Sequence, residues 1–183
     1  ALAREIPDKV VRAEVEHQTN MYKMIQVLPT ALEQQARLVL ALRNKAEKEN
    51  LAALAIRCWP ELQQSVQFWP CGAIGWLCQN GLPTACEGDP GGALDMLLAA
   101  RLSPEPFTLL DIVDLDDAAD TLSVWHCGPT APALAAKKQT NLFTHLVDGA
   151  DETGRPRSGH PAIHDLVLRP GSITLLRTLG ALD

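Results

Sequence analysis

Residues 81–102 read GLPTACEGDPGGALDMLLAARL, and the parsing of this stretch decides the fold. LPTAC is a short apolar run of strand character, the Asn80-Gly81 pair before it is a turn signal, and Pro90 with two glycines opens an apolar segment of helical length. A strand, an acidic turn and a helix in that order make half of an α/β repeat. Asp89 stands at the N-cap of a helix over about Gly91–Arg101, with Pro90 at its first position. Glu87 has two readings: a solvated turn acid, or a ligand group at the carboxyl end of a strand, where open α/β sheets place their sites.

Upstream, LAALAIRC (Leu51–Cys58) is a nearly continuous apolar run following the charged RNKAEKEN. It predicts a parallel strand buried on both faces. The chain up to about Asn50 reads as helical, with the best-marked helix starting at Thr30. There TALE sets Thr30 and Glu33 at capping-box spacing, and Leu32, Ala36, Val39 and Leu40 follow at helical intervals. The segment from Trp59 to Gly81 holds three of the four tryptophans, and within it Cys71–Gln79 predicts a short helix ended by Asn80-Gly81. The order from Thr30 to Leu102 is thus helix, strand, helix, strand, helix. The expected fold class is α/β, a partial doubly wound parallel sheet with flanking helices, forming a Rossmann-like portion over residues 1–103.

Near Ser103-Pro104 the character changes. PFTLLDIVDL and TLSVWHCG flank DDAAD as the arms of a hairpin, and AIHDLVLRPGSITLLRTLG predicts two more strands joined at Arg169-Pro170-Gly171. PTAPALAAKKQTN and DGADETGRPRSGHP read as loops. Residues 104–183 are therefore expected to form an antiparallel, barrel-like β portion.

The hairpin supplies further candidates. A turn centred between Ala118 and Ala119 sets Asp111 opposite His126 on one face, where Cβ atoms lie about 5 Å apart; a slip of one residue would turn one of them away. An aspartate inside FTLLDIVDL is costly without a partner, whereas His126, between Trp125 and Cys127, reads either as a satisfied core histidine or as a ligand. Two carboxylates and one imidazole suit a hard or borderline divalent ion such as Mn²⁺ or Mg²⁺. A rival pair, His160 and His164 in HPAIH, would meet on one helical face, but Pro161 and the β-like neighbours predict a strand, over which four residues span about 13 Å. No P-loop, G-x-G-x-x-G, G-x-S-x-G or H-E-x-x-H pattern is present.

Composition narrows the classes. The 183 residues carry 22 acidic and 16 basic side chains, a net charge of -6, with no basic cluster able to track a phosphate backbone. Nucleic acid is excluded as an expected partner. There is no apolar run of membrane-spanning length and the first residues are charged throughout, so no membrane association and a cytoplasmic location are expected. Five cysteines, none in a C-x-x-C pair and most inside apolar runs, read as buried thiols of a reducing compartment.

RCWPEL (57–62), GLPTACEGDPGGALDMLL (81–98), LLDIVDLDD (109–117) and WHCG (125–128), in this order, resemble the L-fucose isomerase and L-arabinose isomerase superfamily, in particular its L-fucose isomerase-like branch. The resemblance is specific from about Ala53 to Gly128. It implies interconversion of an aldose and a ketose through an ene-diol, with a divalent ion, usually Mn²⁺, held by a glutamate, an aspartate and a histidine. By position these are Glu87, Asp111 and His126, with Glu87 and Asp111 also the implied catalytic pair and Asp89 left as a helix cap. The implied partners are a small-molecule sugar, a deoxy-sugar or a pentose, and further copies of the chain, because the family completes its site across subunits. The family's longer architecture implies that this chain is an excised piece or a reduced relative, lacking an N-terminal domain and a distal histidine. A sugar-binding or assembly module without turnover is the alternative, and a zinc hydrolase built on His160 and His164 a more distant one.

Overall fold

The computed structural model describes residues 2–62, 68–136, 140–143 and 162–178. Helix α1 (Asp8–Thr19) and helix α2 (Pro29–Glu49) pack together, α1 burying Val11, Glu14 and Gln18 and α2 burying Ala31, Leu32, Gln35, Ala36 and Val39. These are the i, i+3, i+4 and i+7 positions of one helical stripe. The start of α2 corrects the capping-box reading: Leu28 is the N-cap, Pro29 occupies the first turn and no side chain caps the helix. Proline's fixed φ sets the helix going before Thr30 can cap it. Asn50 ends α2 in the left-handed conformation, at φ 53°.

Strand β1 (Tyr22–Ile25) lies between the two helices, within a stretch whose sequence reads as helical. Its pairing is non-local. It runs parallel to β6 (Thr140–Phe143), which runs antiparallel to β7 (Ile163–Asp165), giving a three-stranded sheet in the order β1-β6-β7. A second sheet is the parallel pair of β2 (Leu54–Ala55) and β3 (Thr84–Ala85), and a third is the antiparallel hairpin of β4 (Asp111–Asp116) and β5 (Thr121–Trp125). The chain is therefore mixed α/β with small sheets, and among the described residues there is no closed barrel. The parallel pair is what remains of the expected doubly wound sheet.

Two strand expectations are corrected. β2 spans only Leu54–Ala55, and residues 51–57 are partly or fully exposed rather than buried on both faces. An apolar run without a covering layer cannot extend its ladder beyond the partner it has. Beyond Asp165, residues 166–178 form no strand apart from an isolated bridge of Leu168 to Ala135. Instead this tail is held to helix α4 (Pro90–Leu102), where buried Asp95 accepts from the Thr178 N–H at 2.8 Å and the Thr178 hydroxyl at 2.6 Å. Thr140 and Asn141, read as loop, belong to β6.

Helix α3 (Cys71–Gln79) is the centre of the packing, with every residue from Cys71 to Cys78 buried. It ends as expected, at Asn80 followed by Gly81 with φ 80°. Gly75 allows the closest approach: a Cβ there would sit 2.6 Å from both His164 Nδ1 and the Thr130 carbonyl oxygen.

Across this core runs a chain of buried polar groups. Trp76 Nε1 and Gln18 both donate to Glu14, Gln35 donates to Gln18 and to the Tyr22 hydroxyl, and that hydroxyl meets His164 Nε2 at 2.8 Å. His164 Nδ1 lies 2.8 Å from the Thr130 carbonyl, which accepts its proton, so Nε2 is left to accept from Tyr22. His164 is thus a structural residue of β7, and the strand reading of HPAIH holds there; His160 lies outside the described residues. Burial lowers the His164 pKa from 6.5 to about 4. The unfolded chain binds the proton first, so this group's contribution is complete above about pH 6.5 and is lost as pH falls toward 4. We expect unfolding free energy to drop by about 2 kcal/mol between pH 7 and pH 5 from this residue. Denaturant titrations at the two pH values check it: His164→Phe, destabilised at pH 7, should lose correspondingly less between them.

Candidate functional site

The turn that follows β3 is built by Cys86, Glu87, Gly88 and Asp89. The Asp89 N–H donates to the Cys86 carbonyl at 3.1 Å, and Glu87 and Gly88 both have positive φ, 61° and 67°. That is the pattern of a type I′ turn. Gly88 donates its N–H to Ile56 at 2.9 Å, fastening the turn to the end of β2. Glycine suits the second central position at no steric cost, while a glutamate at the first is held in a conformation unfavourable by roughly 1 kcal/mol or more. Backbone strain of this kind persists where the surroundings over-determine it, and it clusters at functional sites.

Glu87 is exposed. Its pKa is raised above the ordinary carboxylate value, first by desolvation and then by the neighbouring Cys86 sulfur, with His126 acting in the opposite direction and Asp111 adding to the rise. The candidates separated in sequence thus come within electrostatic reach of one another. Asp89 holds the N-cap position of α4 as expected, but makes no well-formed side-chain cap bond. Its carboxylate faces the first-turn N–H groups of Gly92 and Gly91, which with Arg177, 3.1 Å away, keep its pKa low.

The hairpin register differs from expectation by one residue at its open end. From the turn, Asp116 pairs with Thr121, Leu115 with Leu122 and Asp114 with Ser123, so the turn does centre between Ala118 and Ala119. An irregularity between Ile112 and Asp114 then shifts the pairing, and Asp111 faces Trp125 rather than His126. A β-bulge at Val113 inserts the extra residue. It also keeps Ile112 and Leu115 on one face with Leu122 and Val124, leaving that face apolar, with Ile112 64% and Leu115 69% exposed. Asp111 is itself exposed, so it pays no penalty for its place in a strand.

Asp111 and His126 nevertheless meet. His126 follows the last residue of β5, and its Nδ1 lies 3.8 Å from Asp111 Oδ2. Nδ1 also lies 3.1 Å from the Leu109 carbonyl, while Nε2 is buried without a well-formed hydrogen bond. With Nδ1 directed at a backbone carbonyl, Nε2 is the nitrogen that could ligate, and only once it has lost its proton and its neighbouring sulfurs have given way. Desolvation lowers the His126 pKa, but the Cys127 and Cys86 sulfurs outweigh it and raise the value to about 10.

The sulfurs are the part of this region that sequence reasoning missed. All five cysteines are thiols. Cys58 Sγ touches Cys86 Sγ at 3.1 Å, and Cys71 shares hydrogen bonds with Cys127 and Cys86. Cys86 is the acidic member, its pKa lowered first by hydrogen bonding from Cys58 and Cys71 and also by His126. Spacing carried no signal for this group, because its members come from four separate elements. The donor types of Glu87, Asp111 and His126 suit a divalent ion. Among the described residues, however, no three or more His, Cys, Asp and Glu side chains are grouped so as to hold one. No helix among them is long and apolar enough to cross a membrane.

No protein-family profile matches the chain. Similarity to individual proteins is clear. The chain is 29% identical over 178 residues to a sulfoquinovose isomerase of Alkalicoccus urumqiensis, an alignment covering 97% of this chain and 38% of that protein. It is 31% identical over 140 residues to a sulfoquinovose isomerase of Clostridium sp. (strain MSTE9), covering 72% of this chain and 31% of the other. A sulfoquinovose isomerase of Priestia megaterium is 29% identical over 137 residues, covering 74% and 29%. The chain thus spans about a third of the length of the curated relatives it matches. These relatives are sugar isomerases, the class implied by the resemblance, though named for a different sugar.

Proposed function

We propose that the protein to which this chain belongs is an aldose–ketose isomerase of the L-fucose isomerase-like type, acting on sulfoquinovose through an ene-diol intermediate. The observation that carries the reading is the approach of Asp111 to His126 at 3.8 Å, with both within electrostatic influence of Glu87, in a sequence aligned over 97% of its length with a sulfoquinovose isomerase. Moving a proton between C1 and C2 needs a base that can return it. We assign that work to Glu87; its exposure, its place on a strained turn and its raised pKa support the assignment. Asp111 orients the oxygens from the hairpin side and His126 holds the Asp111 end of the site.

Glu87, Asp111 and His126 are the donors we assign to a divalent ion, Mn²⁺ in the first instance, on their donor types and the resemblance; as they stand among the described residues the three are not grouped to hold it. When bound, such an ion supplies positive charge for the ene-diolate oxygens. Arg57, exposed beside the Gly88 position of the turn, is paired with Glu61 at 2.9 Å, and would favour an anionic sugar over a neutral one only by exchanging that carboxylate for the substrate's anionic group. Further copies of the chain are the proposed macromolecular partner. The absence of a three-donor group among the described residues favours one second reading, a sugar-binding module without turnover.

An isomerisation assay on the full-length protein separates the readings. Sulfoquinovose, L-fucose and L-arabinose are each followed by ketose formation, with Mn²⁺ and after chelation. Turnover of sulfoquinovose that falls on chelation and returns with Mn²⁺ is expected. Turnover of L-fucose or L-arabinose alone overturns the substrate assignment, turnover indifferent to chelation overturns the ion, and sugar binding without turnover supports the second reading.

A further inference from the structure

Four thiols of the chain form a continuous line that the isomerisation does not use. Cys58 lies just beyond β2, Cys86 just beyond β3, Cys71 is the first residue of α3 and Cys127 follows His126. Cys58 and Cys86 touch at 3.1 Å, and Cys71 is within hydrogen-bonding influence of both Cys86 and Cys127. The fifth, Cys78, stands apart, directed at the Thr84 carbonyl 3.5 Å away.

Buried cysteines are ordinarily inert, because nothing reaches them and they have no partner. Cys58 and Cys86 are buried, at 4% and 1% exposure, but they already have the partner. A disulfide needs sulfurs at about 2.05 Å, so closing this pair requires about 1 Å of motion. Cys86 directly follows β3 and Cys58 lies three residues beyond β2, so the bond would join the chain just past two strands already paired. Cys86 also immediately precedes the exposed Glu87, and a peroxide reaching the turn has one residue to cross.

We propose that Cys58 and Cys86 are a reversible oxidation site, closed to a disulfide by hydrogen peroxide, that switches off the neighbouring Glu87 turn. The Cys86 sulfur attacks one peroxide oxygen, the O–O bond breaks, and the other oxygen leaves as water after taking a proton, giving a sulfenic acid at Cys86. The Cys58 sulfur then attacks the Cys86 sulfur and the S–O bond breaks, releasing a second water. Two thiols are oxidised and one peroxide is reduced to two waters. The bond ties Cys86 to the end of β2 and draws it from His126, shifting the backbone that carries Glu87. This effect on turnover rests on the isomerase reading, whereas the bond itself does not.

The test treats the full-length protein with hydrogen peroxide, quenches it in denaturant with N-ethylmaleimide, and maps the digested peptides by mass spectrometry. A peptide pair linked through Cys58 and Cys86, lighter by two hydrogens and separated by a thiol reductant, is the expected result, with Cys78 alkylated. In Cys58→Ala the same treatment should leave a sulfenic acid at Cys86 that dimedone traps. All five thiols alkylated, or a link between other cysteines, would overturn the proposal. In parallel aliquots freed of peroxide and left native and unalkylated, turnover of sulfoquinovose should fall by a factor on the order of ten to a hundred on oxidation and recover with the reductant. A bond that forms while turnover is unchanged overturns the switch. A bond that forms in a protein inactive even when reduced counts against the isomerase reading and leaves the oxidation site standing.

Discussion

Glu87→Gln in the full-length protein should lower turnover of sulfoquinovose by a factor on the order of 10² to 10⁴, the contribution of a positioned acid–base group, while leaving the folded chain intact. The side chain is exposed and takes no part in the core clusters, so its loss removes chemistry and little packing. Its backbone allows a sharper version of the test. At φ 61°, a glutamate is held where glycine would sit without strain. Glu87→Gly should therefore abolish turnover to the same extent and yet leave the protein as stable as the parent, or more stable by about 1 kcal/mol. Rate assays paired with denaturant unfolding read both quantities. Full activity in either variant would make Glu87 a turn acid, and a large loss of stability in Glu87→Gly would mean that the carboxylate is structural.

The largest effect on stability is expected at Trp76. It is 1% exposed, in contact with Val39, Ala73 and Leu77 in the cluster between α2 and α3, and its ring is met edge-on by His17 at 5.4 Å. Its Nε1 donates to Glu14 at 2.7 Å, at one end of the buried polar chain. Trp76→Ala should cost about 3–5 kcal/mol for the cavity, to which the Glu14 carboxylate, deprived of a buried donor, adds about 1–3 kcal/mol. Against typical domain stabilities of about 5–15 kcal/mol, that brings the chain close to unfolding. Trp76→Phe keeps most of the packing and loses the donor, so it should cost only the smaller sum. Denaturant titration of both variants checks the division: equal costs would place nearly all of Trp76's contribution in the bond to Glu14.

How far the candidate site was legible follows from particular residues. Glu87 and Asp111 are identifiable because an acid at a strand end and an acid in a hairpin arm are local departures from apolar pattern, and resemblance aligned them with ligand positions. His126 was placed beside Asp111 by a turn count that is right at the turn and wrong by one residue at the open end. The bulge at Val113 intervenes, and the two side chains meet only because His126 has already left the strand. The thiol line was not legible, since a cysteine in an apolar run looks the same whether it faces alanine or another sulfur.

Local residue patterns specify α3 from Cys71 to Gln79, α4 behind Pro90, the Asn80-Gly81 stop, the N-cap place of Asp89 and the centre of the hairpin turn. Each rests on proline, glycine, asparagine or aspartate acting within a few residues, where backbone sterics and nearby hydrogen bonds settle the outcome. Tertiary structure alone decided that Tyr22 pairs with Thr140 in a parallel ladder, that residues 166–178 lie on α4 through Asp95 instead of forming a strand, and that His164 is a neutral link in a buried polar chain. These outcomes depend on partners more than ten residues away along the chain. A strand's preference is largely the packing of its side chains against such partners, so its identity cannot be read until the fold has brought them together.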